Sequence, residues 1–469
     1  MAQTVRMSQD PSSWKNRSPG DLDVEFPAAF ASDVDSAVRR AEAAFPGWRA
    51  LSLDDRRAAL EACRGRLRDR SEDLARLISS ETGKPLREAR LEVGAVIAKF
   101  DLTFSDAERW AREEEVGDGP HPARIRHRPR GPAAVIAPFN FPVHLGHGAA
   151  VAYLLAGNPV LFKPSPLAVN VALAYAAEMQ AALPGGVFEL VAGWGETGRT
   201  LCLDPRVRAM CFTGSVPVGT SLARELASDY SKSLALELGG KNSVIVCEDA
   251  DLDAAAAAVA DGLCLTTGQR CNATSRVMVH ERAAPAFIER LLASLARYEP
   301  ADPLDPSTSF GPLISVAAQK RYEGLTSLAA GEWILPGRCV EALPGGQRGH
   351  YVTPAVLLAG AEVDATPLAQ AETFAPILVV ETFPGEAEAV RRHEAWAFGL
   401  TASLFTASGE TFRRIGDQLS VGNLYWNLPT TFSPSSLPFG GWGSSGNGHP
   451  GGRGFIRFAT DEQAVQWKA

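Results

Sequence analysis

No Cys-x-x-Cys pair occurs in the chain, and its seven cysteines, at 63, 202, 211, 247, 264, 271 and 339, are odd in number. That spacing predicts neither a disulfide framework nor a thiolate zinc site, and it fits a reducing compartment. Positive charge is also short: 46 Lys and Arg stand against 54 Asp and Glu, a formal net charge of −8. The balance argues against nucleic acid or an anionic membrane as the main partner. Long apolar runs are missing as well. The longest, GAAVAYLLAGNPVLF at 148–162, is interrupted by Gly157, Asn158 and Pro159 and is too short to span a bilayer. The opening stretch MAQTVRMSQDPSSWKNRSPGDLD is polar and carries no apolar secretion core. A water-soluble, cytoplasmic protein is the expectation. His121 and His127 flank a basic stretch with no cysteine or carboxylate cluster beside them, so no metal site is expected. No internal repeat or long low-complexity segment is evident.

What is present is a long alternation of helices and strands. The 469 residues allow two large domains or three smaller ones. Residues 33–116 read as helices, with apolar residues three and four apart and charges between. ARIRHRPRGPAAVIAPF then reads as extended. A first alternating series follows, through PVLFKP, VFELVAG and AMCFTGS, and a second runs from about 240 to 430 through SVIVCED, RVMVHE, PILVVETF and LTASLFTA. Strands alternating with helices predict parallel sheets covered on both faces, so two α/β domains in series are expected. The tail PFGGWGSSGNGHPGGRG is glycine-rich, but its Trp, Phe and Pro favour a packed loop that approaches a site closely.

Several segments carry residues suited to chemistry. GWGETG at 193–198 matches a dinucleotide phosphate loop, yet no acidic residue stands at a strand end about twenty residues on. CFTGSVPVG at 211–219 is the better candidate: a strand ends near Thr213, and a helix starts near Pro217, where free amides favour an anion. The same pattern also fits an ordinary helix start. Lys163 ends a buried strand in VLFKPSP and could reach a ribose or phosphate, or could be a solvated edge charge. Glu237, in the apolar strand LALELGGKN, should have a raised pKa unless paired, which suits a general base or a structural ion pair. Cys264 ends an apolar helix and reads as core. Cys271 follows TTGQR, where Gly268 permits a sharp turn and Arg270 adds positive potential, so it is a candidate nucleophile.

Taken together, the segments APFNFP, LLAGNPVLFKPS, CFTGSVPVG, LELGGKN, TTGQRC, FGPLIS, AETFAPIL, AFGLTASLFT and LPFGGWGSSG resemble the aldehyde dehydrogenase superfamily in order and spacing, over about residues 25–460. The resemblance implies two Rossmann-like parallel-sheet domains plus a small oligomerisation hairpin. It places an NAD(P)-binding domain at 1–114 and 132–238, a catalytic domain at 239–436, and oligomerisation segments at 115–131 and 453–467. It implies Cys271 as nucleophile, Glu237 as general base and Asn140 as the oxyanion-hole amide. For the cofactor it implies Lys163 and Glu372 at the riboses, Ser165 as a further cofactor-binding residue, Phe374 beside the nicotinamide, and the turn Gly214, Ser215, Val216, Pro217, Val218 and Gly219 at the pyrophosphate. Aldehyde oxidation with NAD or NADP follows, in a homodimer or homotetramer. One departure matters: Lys-Pro-Ser-Glu reads KPSP here, so Pro166 replaces a carboxylate that would bind the adenosine ribose. The expected substrate is a semialdehyde with a carboxylate, because NLPTTFSPSS at 427–436 is rich in hydroxyls. Arg453, Arg457, His144 and His449 are the candidate anchors for that carboxylate, arginine being favoured for its bidentate reach, although Arg453 and Arg457 fit service at the oligomer interface equally well.

Overall fold

The computed structural model describes residues 13–116 and 121–468. The first residues of the expected cofactor domain, and 117–120 of the expected hairpin, lie outside the described residues. After a short antiparallel pair, Ser13–Trp14 with Ala29–Phe30, come four helices: Val34–Ala50, Leu53–Asp69, Ser71–Thr82 and Leu86–Trp110. Local sequence sets their limits. Ser52 and Asp55 form a reciprocal capping box at the start of the second. Gly83, at φ +74°, stops the third in a left-handed turn. The fourth buries a stripe that includes Glu88, Glu92, Val96, Lys99, Phe100 and Asp106, so four charged side chains share its inward face. The helical reading of 33–116 fails only at its end. Glu114–Val116 is a strand because it pairs with Ala123–Pro129, a tertiary contact that local periodicity does not carry.

The expected α/β class is borne out by two sheets. One has six strands, in the order Gly446–Asn447, Ser233–Glu237, Ala209–Thr213, Ala133–Ile136, Val160–Lys163, Phe188–Leu190. All but the first pair in parallel. Chain order reverses beside Ala133–Ile136, and in such sheets ligands settle outside the carboxyl ends of the strands there. The other sheet has seven strands, in the order Gly331–Leu335, Ala355–Ala359, Ile377–Phe383, Thr274–His280, Asn242–Val246, Thr401–Phe405, Asn423–Trp426. Val160–Lys163 and Asn242–Val246 are buried along their whole length, as continuous apolar strands covered on both faces must be.

A third, antiparallel sheet joins Glu114–Val116, Ala123–Pro129 and Thr460–Gln466. Gly131, at φ +128°, separates Ala123–Pro129 from Ala133–Ile136, which splits the extended reading of this region into strands of two different sheets. The glycine-rich tail packs as short two-residue strands. Gly446–Asn447 closes the six-stranded sheet beside the strand that ends in Glu237. No helix among the described residues is long and apolar enough to cross a membrane.

Candidate active site

The site lies between strand ends of the two large sheets. The six-stranded sheet contributes carboxyl ends: Glu237 closes its strand, Lys163 closes another, and Asn140 follows Ala133–Ile136. The seven-stranded sheet contributes amino ends: Cys271 precedes Thr274–His280, and Glu372 and Phe374 precede Ile377–Phe383.

The turn before Cys271 is strained. Thr266, Thr267 and Gly268 have φ of +52°, +55° and +71°. Left-handed backbone is costly for a β-branched residue and persists only where its surroundings enforce it. Here Glu88 accepts from the Thr266 amide (3.0 Å) and hydroxyl (2.8 Å), and the Thr267 hydroxyl donates to the Gly311 carbonyl (3.0 Å). Gly268 lies against the Ala375–Pro376 backbone, where a Cβ would stand 2.5 Å from the Ala375 carbonyl carbon. A side chain there would push Cys271 off its place.

Two chambers meet at Cys271. One, of about 350 Å³, is lined by Asn140, Ser165, Thr213–Ser215, Glu237, Glu372 and Phe374 among others. The other, of about 290 Å³, is lined by Glu88, Glu92, Lys99, His144, Arg270 and Gly452 among others. Cys271 and Leu145 line both.

In the first chamber, Glu237 is 2% exposed, and neither carboxylate oxygen has a hydrogen-bond partner. Burial raises its pKa to about 8, against a downward pull from the adjacent Cys271 thiol. The Asn140 side-chain amide donates to the Gln269 carbonyl (2.8 Å), which fixes its plane and leaves its second N–H free. Glu372 accepts from the Gly240 amide (3.3 Å), its backbone carbonyl accepts from Arg321, and burial lifts its carboxyl to about 7. Phe374, at φ +50°, packs edge-on against Phe139 at 5.8 Å. The helix Val216–Leu226 starts here, and Ser215 makes no side-chain cap bond, so its first amides are free for an anion. Gly219 packs on Leu238, which a Cβ would meet at 2.5 Å. Lys163 is buried rather than a solvated edge charge, and desolvation lowers it to about 8. GWGETG lines neither chamber. It starts the helix Gly195–Leu203, whose Gly198 faces the Lys163 stem, which a Cβ there would meet at 3.6 Å.

Several sequence readings need correction. Arg270 does lend the Cys271 thiol some positive potential, but the effect is the weakest of those acting on it, because the guanidinium is turned to Glu88 (2.8 Å) and to the Thr266 hydroxyl (3.0 Å). Burial and the nearby carboxyls of Glu237 and Glu372 hold the thiol well above its ordinary pKa. Cys264 is a buried core residue, as read. Arg453 is bound to Asp106 (2.9 Å), Arg457 lies over Trp110 at 4.7 Å, and neither lines the second chamber. His449 packs beside Gly440 and lines neither chamber, although Pro450 after it lines the second. His144 does line the second chamber, but desolvation pushes its pKa down to about 4, so it is neutral near pH 7. Lys99, Leu145, Phe139 and Arg321 were missed. Lys99 alone had a signal, a lysine at a core-facing position of an otherwise apolar helix stripe.

A profile of the aldehyde dehydrogenase family matches residues 7–465. The chain belongs to that family. An aldehyde dehydrogenase of this kind is an NAD(P)-dependent oxidoreductase. A relative named N-succinylglutamate 5-semialdehyde dehydrogenase, from Pseudomonas fluorescens, is 37% identical over 425 residues, covering 89% of this chain and 86% of its own. The fold also matches the crystal structure of an NAD-dependent aldehyde dehydrogenase from Sinorhizobium meliloti, with a TM-score of 0.90 and 30% identity over 97% of this chain and 91% of that one. The structure of an NADP-dependent enzyme from E. coli matches with a TM-score of 0.90 and 28% identity, over 97% and 95% of the two chains.

Proposed function

We propose that this aldehyde dehydrogenase works through a covalent thioester on Cys271, with Glu237 as base and Asn140 as oxyanion donor. The observation that carries the reading is the place of Cys271, at the junction of two chambers with an unpaired buried carboxylate beside it. The dinucleotide suits the 350 Å³ chamber. Free amides of Val216 and Val218 with Ser215 would take its pyrophosphate, and Pro217 and the glycines Gly214 and Gly219 shape that turn. Lys163, Ser165 and Glu372 would hold its ribose hydroxyls, and Phe374 would back its nicotinamide ring. When bound, it supplies an acceptor for a hydride.

The Cys271 thiol gives its proton to the adjacent Glu237 carboxylate, which sheds it to solvent before deacylation; the thiolate attacks the aldehyde carbon, a C–S bond forms, and the carbonyl electron pair moves to oxygen. The free N–H of Asn140 and the Cys271 amide stand ready for that oxyanion. Loss of hydride leaves a thioester on sulfur. Glu237 removes a proton from water, hydroxide displaces the sulfur, and carboxylate leaves. The sum is aldehyde + NAD(P)⁺ + H₂O → carboxylate + NAD(P)H + 2 H⁺. We infer a carboxylate-bearing semialdehyde as substrate. N-succinylglutamate 5-semialdehyde is the first to assay, in view of the name of the Pseudomonas fluorescens relative. NAD(P)H formation across a panel of aldehydes tests the reading, and absence of turnover with every aldehyde would sink it.

Cofactor choice turns on Pro166. It heads a short 3₁₀ turn, Pro166–Ala168, capped by Ser165, and its carbonyl accepts from Trp14 (3.0 Å) and Asn16 (2.9 Å). A carboxylate here would accept from ribose hydroxyls and repel a 2′-phosphate; proline does neither, and Lys163 attracts the phosphate. The wild type should therefore use both cofactors. Pro166→Glu should move the kcat/KM ratio toward NAD⁺ by about tenfold, one charged hydrogen bond's worth. A wild type that already rejects NADP⁺ contradicts this. We also infer a homodimer or homotetramer assembled through the antiparallel sheet of Thr460–Gln466, Ala123–Pro129 and Glu114–Val116. Light scattering that finds a monomer would refute it.

A further inference from the structure

We infer that Lys99 is the anion anchor of the second chamber, taking the carboxylate that the aldehyde carries away from its reacting carbon. The inference rests on the proposed reading of Cys271 and narrows the substrate class. Every other charge facing that chamber is already engaged. Glu88 holds Thr266 and Arg270. Glu92 pairs with Lys84 (2.5 Å) and accepts from the amides of Val143 and His144 (3.1 Å each). His144 is neutral. Asp106, the acid further along the same helix, is taken by Arg453 and the Gly454 amide (2.6 Å).

Lys99 is different. It is 5% exposed, and it makes no ion pair within 4 Å among the described residues. Its ammonium donates to the Gly452 carbonyl (2.6 Å), which leaves two N–H donors. Asp106, held by Arg453 and the Gly454 amide, acts on Lys99 only from beyond contact distance, and a buried cation with no carboxylate in contact is unfavourable unless a ligand provides one. Burial lowers its pKa only to about 8, so most of the population is still charged at neutral pH.

Space for the lysine comes from Gly148. A Cβ at that position would stand 2.9 Å from the Lys99 Cε. Gly148 follows Leu145, which touches both chambers, on the helix His144–Ala156. Lys99 lines the second chamber and not the first, so an anion it holds lies in the chamber not assigned to the dinucleotide.

The test compares N-succinylglutamate 5-semialdehyde with hexanal, an uncharged aldehyde, on wild type, Lys99→Met and Gly148→Ala. Lys99→Met keeps length and removes charge. The ratio of kcat/KM for the anionic over the neutral aldehyde should fall roughly 10- to 100-fold, chiefly through KM. The melting temperature should hold or rise, because an apolar isostere replaces an unpaired buried cation. Gly148→Ala, which displaces the Lys99 side chain, should lower the same ratio. A structural role would instead lower both aldehydes together and lower the melting temperature. That outcome, or an unchanged ratio in Lys99→Met, overturns the proposal while the Cys271 reading stands. A wild type that oxidises neither aldehyde overturns both.

Discussion

Cys271→Ser is expected to lower steady-state aldehyde oxidation by roughly 10³-fold or more, with dinucleotide binding retained. The reason lies in what surrounds the sulfur. Burial and two carboxyls already hold the thiol above its ordinary pKa, and Arg270 is committed to Glu88. The acceptor at hand is Glu237, at about 8. A carboxylate of that strength is a workable partner for a thiol but far too weak to ionise an alcohol. The serine hydroxyl would thus stay protonated and poorly nucleophilic. Cofactor contacts, placed on Ser215, Lys163 and Glu372, are untouched by the change. Cys264→Ser is the control: Cys264 is fully buried at the end of Leu252–Cys264, so a hydroxyl there should cost about 1–3 kcal/mol of stability with chemistry preserved. Rates of NAD(P)H formation, and cofactor titration by fluorescence quenching, decide the matter. Near-normal turnover in Cys271→Ser would remove it from the mechanism.

Glu237→Gln should arrest the enzyme one step later. Acylation leaves the thioester on Cys271, and without a base the attacking water keeps its proton. Steady-state turnover should drop by roughly 10²- to 10⁴-fold. Intact-protein mass spectrometry after mixing with aldehyde and cofactor should show an acyl adduct on Cys271. The pH dependence carries a sign. Burial raises the Glu237 pKa from 4.5 to about 8, so below about pH 8 the proton is on the carboxyl and the base is silent. Deacylation in the wild type should climb nearly tenfold per pH unit toward about 8 and level off above it. The glutamine variant should lack that rise. Wild-type turnover rates in Glu237→Gln, or a pH profile shared by both proteins, would assign the base elsewhere.

The site segments are readable because their chemistry is local. A strand end, a glycine turn and a helix start each announce themselves within a few residues, as at Glu237, Gly268 and Ser215. Charge partners do not. Arg453 and Arg457 sit beside a motif in the chain, but Asp106 and Trp110, some 340 positions earlier, draw them away. Arg270 looks like the neighbour of Cys271 until Glu88 claims it. Lys99 hides for the converse reason. It occupies a core position of an apolar stripe, and only the folded helix pair shows that Gly148 leaves room for it. The fold followed the same division. Alternating apolar runs give the central parallel strands. Glu114–Val116 exists because of a partner strand and carries no local sign of it.

The strand that ends in Glu237 is completed from far along the chain. Gly446 and Asn447 pair with Glu237 and Leu236, the Asn447 side chain accepts from the Leu236 amide (2.8 Å), and Ser445 accepts from the Leu238 amide (2.9 Å). Roughly 200 residues separate these partners, and contacts that distant form late and slowly. During synthesis, the ribosome can deliver both sheets nearly whole while the edge beside Glu237 is still bare. An open edge of that kind is a place where a nascent chain can pair wrongly with its neighbour. Competence is therefore a late event in the life of each molecule, reached only after Ser445–Asn447 has emerged and docked.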